Sequence, residues 1–209
     1  MKPDKRIVDT GYIELKHRDT GARIYSHNEP GNTVAHTLML ALLHGTDIRH
    51  ADLSGADLSF GHYVDKNFAH CDLSGTTLTG ANFTRARLDK ASLSFVKDSH
   101  LASFQEATFH GTFAAGSNFR NSFFTNALGQ ECNFGEVSRN GVVVIKGSDF
   151  SGADLRGFAT RGAGFRGITI DNDTLLDGID SRIAYRSPRV KVTCVCGTES
   201  CGTVCRQCK

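Results

Sequence analysis

The residues with the densest reactive chemistry stand near the end of the 209-residue sequence, where Cys194, Cys196, Cys201, Cys205 and Cys208 follow one another as C-x-C-x4-C-x3-C-x2-C. Four thiolates at such short separations could hold zinc tetrahedrally, with Cys194 or Cys196 joining Cys201, Cys205 and Cys208. The spacing is not the paired CxxC…CxxC of a zinc ribbon, and five is an odd number. Disulfides, within the tail or to a neighbouring subunit, and free thiols therefore stand beside zinc as alternatives. The sizeable apolar side chains of residues 189–209 are Val190, Val192, Val195 and Val204, too few to build a core, so an ordered tail implies metal or crosslinks.

The nine histidines raise the question of catalysis. His50 and His70 are twenty residues apart, with Lys90 after them, but no acid, nucleophile or oxyanion donor falls at a matching place. A solvated polar ladder is the expectation, and Asp52 and Asp72 form another. Asp171-Asn172-Asp173 begins like a calcium loop but lacks its glycine and distal glutamate. There is no phosphate loop and no triad motif. The sequence is read as that of a non-enzyme, with no catalytic residue, no cofactor for catalysis, and structural zinc at the tail as the one cofactor in view.

The elements that carry these residues follow an unusual period. From Ala51-Asp52-Leu53-Ser54-Gly55 onward a large apolar residue recurs every five positions: Ile48, Leu53, Leu58, Tyr63, Phe68, Leu73, Leu78, Phe83, Leu88 and Leu93. Two residues before each stands Ala, Gly, Thr or Cys, with Lys66 the exception. The frame slips by one to give Phe104, Phe109, Phe119, Phe124 and Phe134, with Ala114 and Gly129 as weak members. A second slip gives Phe150, Leu155, Phe165 and Ile170, with Thr160 weak. Five matches neither the 3.6 of a helix nor the 2 of a strand, so the chain must turn a corner in every quintet. The centre and the small residue before it point inward, and four quintets close a square coil of twenty residues. Cys71-Asp72-Leu73-Ser74-Gly75, returning one coil after residues 51–55, supports that length. Cys71 and Cys132 fall at small inward positions and read as buried and inert.

The A(D/N)LXX quintets over residues 46–170 resemble the pentapeptide-repeat proteins. The resemblance implies an all-β, right-handed quadrilateral β-helix, here of about six coils and about 29 Å tall at the usual strand spacing. For function it implies less, because the family includes proteins that bind DNA gyrase as well as many of unknown role. A hairpin and short helix ahead of the repeats look like small members carried by bacteriophages and bacteria.

Three regions follow. Residues 1–45 hold a predicted hairpin, Tyr12–Lys16 with Ala22–Tyr25 around Asp19-Thr20-Gly21, then a helix over 33–44. That helix has Asn32 or Thr33 as N-cap, Val34, Leu38, Ala41 and Leu42 on one face, and Gly45 as its stop; it is expected to cover the first coil. Residues 46–170 form the column, interrupted near 136–146 by a hairpin with an Asn140-Gly141 turn; its Val142, Val143, Val144 and Ile145 either pack on the column wall or are candidate partner contacts. Residues 171–209 are the extension with the cysteine-rich tail.

The formal net charge is +2, and acidic and basic side chains balance over residues 47–170, so direct nucleic-acid binding is not expected. No apolar run reaches the roughly 18 residues of a membrane span, and the charged N-terminus lacks an apolar stretch after it, so synthesis in the cytoplasm without a signal peptide is expected. The functional reading is a rigid, non-enzymatic assembly column that binds protein partners, itself or other components of a phage particle, as the resemblance implies. The alternative is a DNA-mimicking binder of gyrase or another cellular target.

Overall fold

The structure is a computed structural model, and it describes residues 11–119, 121–129, 192–193 and 199–200. Strands β1 (Tyr12–His17) and β2 (Arg23–Asn28) pair antiparallel around a turn in which Gly21 adopts φ +68°. Helix α1 spans Val34–Leu43; Thr33 caps it by accepting the His36 N–H at 3.1 Å, and Gly45, at φ +69°, follows its last turn. Leu38 and Ala41 are fully buried in a core shared with Leu15, Ile48 and the first coil.

The helix does not cover the start of the column alone, because the hairpin closes its exposed strand edge. Strand β1 pairs antiparallel with β3 (Ala51–Asp52), Lys16 opposite Asp52 and His17 opposite Ala51. The Arg18 N–H donates to the His50 carbonyl at 2.7 Å, and its guanidinium donates to the carbonyls of His70 and Cys71. An open strand edge would otherwise invite a foreign strand, and β1 occupies it.

The column itself is built from single parallel bridges, one per face per coil. Asp52 pairs with Asp72 and Asp72 with Ser92; Asp57 pairs with Thr77, His62 with Asn82 and Asn67 with Arg87, each step being twenty residues. The steps Thr77 to Asp98, Asn82 to Ser103, Arg87 to Thr108 and Ser92 to Phe113 are twenty-one, after which Ser103 to Phe123 and Thr108 to Leu128 return to twenty. The frame slip read in the sequence is thus one extra residue absorbed on one face, near Lys97, without breaking the stack. The described column runs for about four coils, some 19 Å at the strand spacing.

Every predicted centre within the described residues is inside: Leu53, Leu58, Phe68, Leu73, Leu78, Phe83, Leu88, Leu93, Phe104, Phe109, Phe119 and Phe124 are all buried. One interior face is an aromatic ladder: Tyr63, Phe83, Phe104 and Phe124 succeed one another with ring centroids 4.8, 5.4 and 5.0 Å apart. Offset stacking contributes beyond the area it buries, which suits a core one side chain wide. Buried hydroxyls at inward positions are satisfied by the backbone: Thr76 donates to the Leu73 carbonyl at 2.7 Å and Thr112 to that of Leu88 at 2.6 Å. Phe134, Phe150, Leu155 and Phe165 lie outside the described residues.

Candidate interaction surface

Each quintet spends two side chains on the core and shows three to solvent, so the surface is set by the three outward positions. The residue before the centre is Asp or Asn in many quintets, and the geometry gives the reason. Asp47, Asp52, Asp57, Asn67, Asp72, Asn82 and Asp98 each accept, through the side-chain oxygen, the backbone N–H two residues on, at 2.9–3.1 Å. This local turn bends the chain at the centre of the quintet and satisfies an N–H at the bend. These carboxylates therefore hold corners, and hydrogen bonds from the Ser59 hydroxyl and N–H keep the Asp57 carboxyl below its ordinary range.

The corner is completed two residues after the centre. There the backbone is left-handed in every described quintet: His50, Gly55, Phe60, Asp65, His70, Gly75, Gly80, Arg85, Lys90, Phe95, Leu101, Glu106, Gly111, Gly116, Asn121 and Asn126 all have φ between 56° and 71°. The next N–H folds back on the centre carbonyl, as Ala56 to Leu53 at 3.2 Å, the geometry of a type II turn. A non-glycine residue there costs roughly 1–2 kcal/mol. The offset is an inter-coil hydrogen bond from the same residue, such as Phe60 N–H to the Thr79 carbonyl at 2.9 Å.

Corner side chains stack in columns down the edges. His17, His50 and His70 form three parallel rings, with centroids 4.9 and 4.5 Å apart, so the predicted His50–His70 ladder exists and the hairpin adds a member. Desolvation, then the neighbouring His50, Lys90, Arg18 and Arg49, hold the His70 imidazole below its ordinary value and favour its neutral form. On another edge Arg85 grips Asp65 through two hydrogen bonds of 2.7 and 2.8 Å, which lowers the Asp65 carboxyl. Both partners are exposed, so the pair adds little stability.

The outward positions of the lower coils include large apolar side chains. Phe95, Leu101, Phe113, Phe123 and Leu128 all lie at outward positions and are exposed, Phe113 by 58%. Phe113 is bridged to Ser92, and the Phe95 N–H donates to the Ala115 carbonyl, so the two aromatics share one face on successive coils. That face, through 52–55, 72–75, 92–95 and 113–116, carries Asp52 and Asp72 and no lysine or arginine. The signal was present as phenylalanine out of phase with the period, at 60, 95, 113 and 123.

Cys71 is fully buried with its thiol against the Ile48 carbonyl, and burial pushes it up to about 12, which leaves it inert. Cys132, the tail cysteines Cys194, Cys196, Cys201, Cys205 and Cys208, and Val142, Val143, Val144 and Ile145 lie outside the described residues. The tail shows β4 (Val192–Thr193) paired antiparallel with β5 (Glu199–Ser200), Thr193 opposite Glu199. Among the described residues no helix is long and apolar enough to cross a membrane.

Residues 37–59 and 67–97 match the family model for pentapeptide repeats in eight copies. No curated protein sequence matches the chain. Among solved structures it is similar to HetL, a pentapeptide repeat protein involved in heterocyst differentiation regulation from the cyanobacterium Nostoc sp. strain PCC 7120. Identity there is 22%, over 63% of this chain and 62% of that one, with a TM-score of 0.36; this chain thus spans under two thirds of HetL. It is similar to QnrB1, a plasmid-mediated fluoroquinolone resistance protein, at 22% identity over 63% of this chain and 75% of that one, TM-score 0.34. A third is Rfr23 from the cyanobacterium Cyanothece 51142, at 13% identity over 66% and 95%, TM-score 0.27.

Proposed function

Because pentapeptide repeats build this column, we propose that the chain is a non-enzymatic binding and assembly element whose working part is the outer face of its lower coils. The observation that carries this reading is the exposure of Phe95 and Phe113 on one face, with Leu101 at the adjoining corner. Nothing in the fold needs them outside, since neighbouring coils fill the same positions with Ser, Gly and Asp. Exposed aromatics on a rigid frame lose little entropy when a partner covers them. The partner is a protein, and the resemblance to phage-borne members makes another component of a particle the expected kind. The tail cysteines serve as the attachment point, held by zinc or disulfides.

A DNA-like surface would need a run of carboxylates, and this face offers only Asp52 and Asp72 at its far end. Inhibition of gyrase supercoiling is accordingly not expected at micromolar protein. The test is native purification from the source cell followed by quantitative comparison with a Phe95→Ser/Phe113→Ser variant. Selective loss of one protein partner, at an unchanged melting temperature, supports the reading. A partner set identical for both proteins overturns the placement of the surface.

A further inference from the structure

Two clusters of histidine and carboxylate lie near the start of the column, and only one has the geometry of a metal site. His17, Asp19 and His50 bring ligand atoms within 4.8 Å of one another. Their two imidazoles, however, are stacked at 9°, and a metal ion cannot lie in the planes of two parallel rings at once. His17 Nδ1 also accepts the N–H groups of Asp19 and Thr20 at 3.2 and 3.4 Å, so its lone pair is engaged.

The second cluster differs in the angle between its rings, and the hydrogen bond of His27 Nε2, with Glu29 Oε2 at 3.2 Å, is to another of its three ligand groups. His27, at the end of β2, Glu29, in the following loop, and His36, in the first turn of α1, also present one ligand atom each within 4.8 Å. The rings of His27 and His36 stand at 77°, so their planes cross along a line where one ion can meet both lone pairs. Glu29 Oε2 is 3.2 Å from His27 Nε2 and 3.9 Å from His36 Nδ1. Metal–ligand bonds of about 2.0–2.1 Å at tetrahedral angles set donors about 3.3 Å apart, so closure requires the three donors, now within 4.8 Å of one another, to draw together, with His36 Nδ1 moving toward Glu29. The frame is already fixed: Asn32 Nδ2 donates to the His27 carbonyl at 3.2 Å and to Thr37 Oγ1 at 2.9 Å, tying strand to helix beneath the cluster. The His36 N–H is held by the Thr33 cap.

We propose that His27, Glu29 and His36 bind a divalent transition metal, zinc being the best match to two imidazoles and one carboxylate, with water in the fourth position. The ion would staple β2 to α1 across the loop that joins them. Binding uses the imidazoles in their neutral form.

The test adds zinc to the full chain and follows the imidazole proton–nitrogen correlations by NMR, which separates this site from any metal at the tail thiols. The expected result is a saturable change at His27 and His36, with His17, His50 and His70 unmoved. His36→Ala should weaken the change at His27 at least about 10-fold. Glu29→Gln, at an exposed loop position, should weaken it too, and serves should His36→Ala fail to fold. Zinc perturbing only cysteine signals, or the His17–His50 pair, overturns the proposal, as does a His27 response that is the same in both variants as in the parent.

Discussion

The ring of Tyr63 occupies the space that a side chain at Gly61 would fill: a Cβ at Gly61 would fall 2.3 Å from Tyr63 Oη. In most other quintets, that of Lys66 excepted, this inward position holds a small side chain, and here glycine yields it to a tyrosine that is 1% exposed and whose burial raises its hydroxyl well above the ordinary range. Gly61→Ala should therefore destabilise the column by about 1–3 kcal/mol in urea melts. The double variant Gly61→Ala/Tyr63→Leu should show little further cost from the alanine. An equal cost of Gly61→Ala beside Tyr63 and beside leucine would mean that the two positions are uncoupled.

The left-handed corners make a second prediction. Gly75 has open space around its Cβ site, the Gly55 nitrogen at 4.0 Å being the nearest atom, so Gly75→Ala tests backbone strain without a clash. A loss of about 1 kcal/mol is expected, with a gain from Glu106→Gly of up to about the same size, because Glu106 holds φ 57° with an exposed side chain. Denaturant midpoints for both variants check this. A stabilising Gly75→Ala would contradict the corner geometry.

How much of this was readable in advance follows from which side chains are constrained. The five-residue period, the frame slip near 97 and the burial of Cys71 were legible because the interior accepts only a narrow range of shapes. The corners were not, since backbone strain there is offset by inter-coil hydrogen bonds and the side chain points to water, so His70, Arg85, Phe95 and Leu101 occupy equivalent positions. The exposure of Phe113 was not legible because phenylalanine fills the buried centres of the same coils at 104, 109, 119 and 124. His27, Glu29 and His36 are joined only by the path of one loop from strand to helix, which no periodicity reports.

The histidine ladder predicts an acid sensitivity. The His70 imidazole is held below its ordinary value chiefly by desolvation and then by His50 and Lys90, so the unfolded chain takes up the proton first as pH falls. Stability is then present above roughly 6.5 and declines as pH drops through the unfolded value toward the lower folded one. His70→Asn, a residue that tolerates the left-handed corner, should flatten the dependence of the melting midpoint on pH between roughly 7 and 5. An unchanged slope would remove His70 as its source.

The tail gives the last prediction. In the sequence Cys194 and Cys196 fall between the paired residues Thr193 and Glu199, and Cys201 follows Ser200. Two strands of two residues cannot hold an isolated hairpin in water, and the four valines of residues 189–209 bury too little to help. Bonds from cysteines among Cys194, Cys196, Cys201, Cys205 and Cys208 are therefore expected to hold the pairing. If zinc supplies them, elemental analysis of the His36→Ala variant should still find one zinc per chain, and a chelator should expose the tail to protease while the melting point of the column stays where it was. If disulfides supply them, a reductant should have that effect, and an interchain bond should also appear on a denaturing gel as a covalent oligomer that reverts to monomer. A tail that resists protease after both treatments would defeat the two versions together.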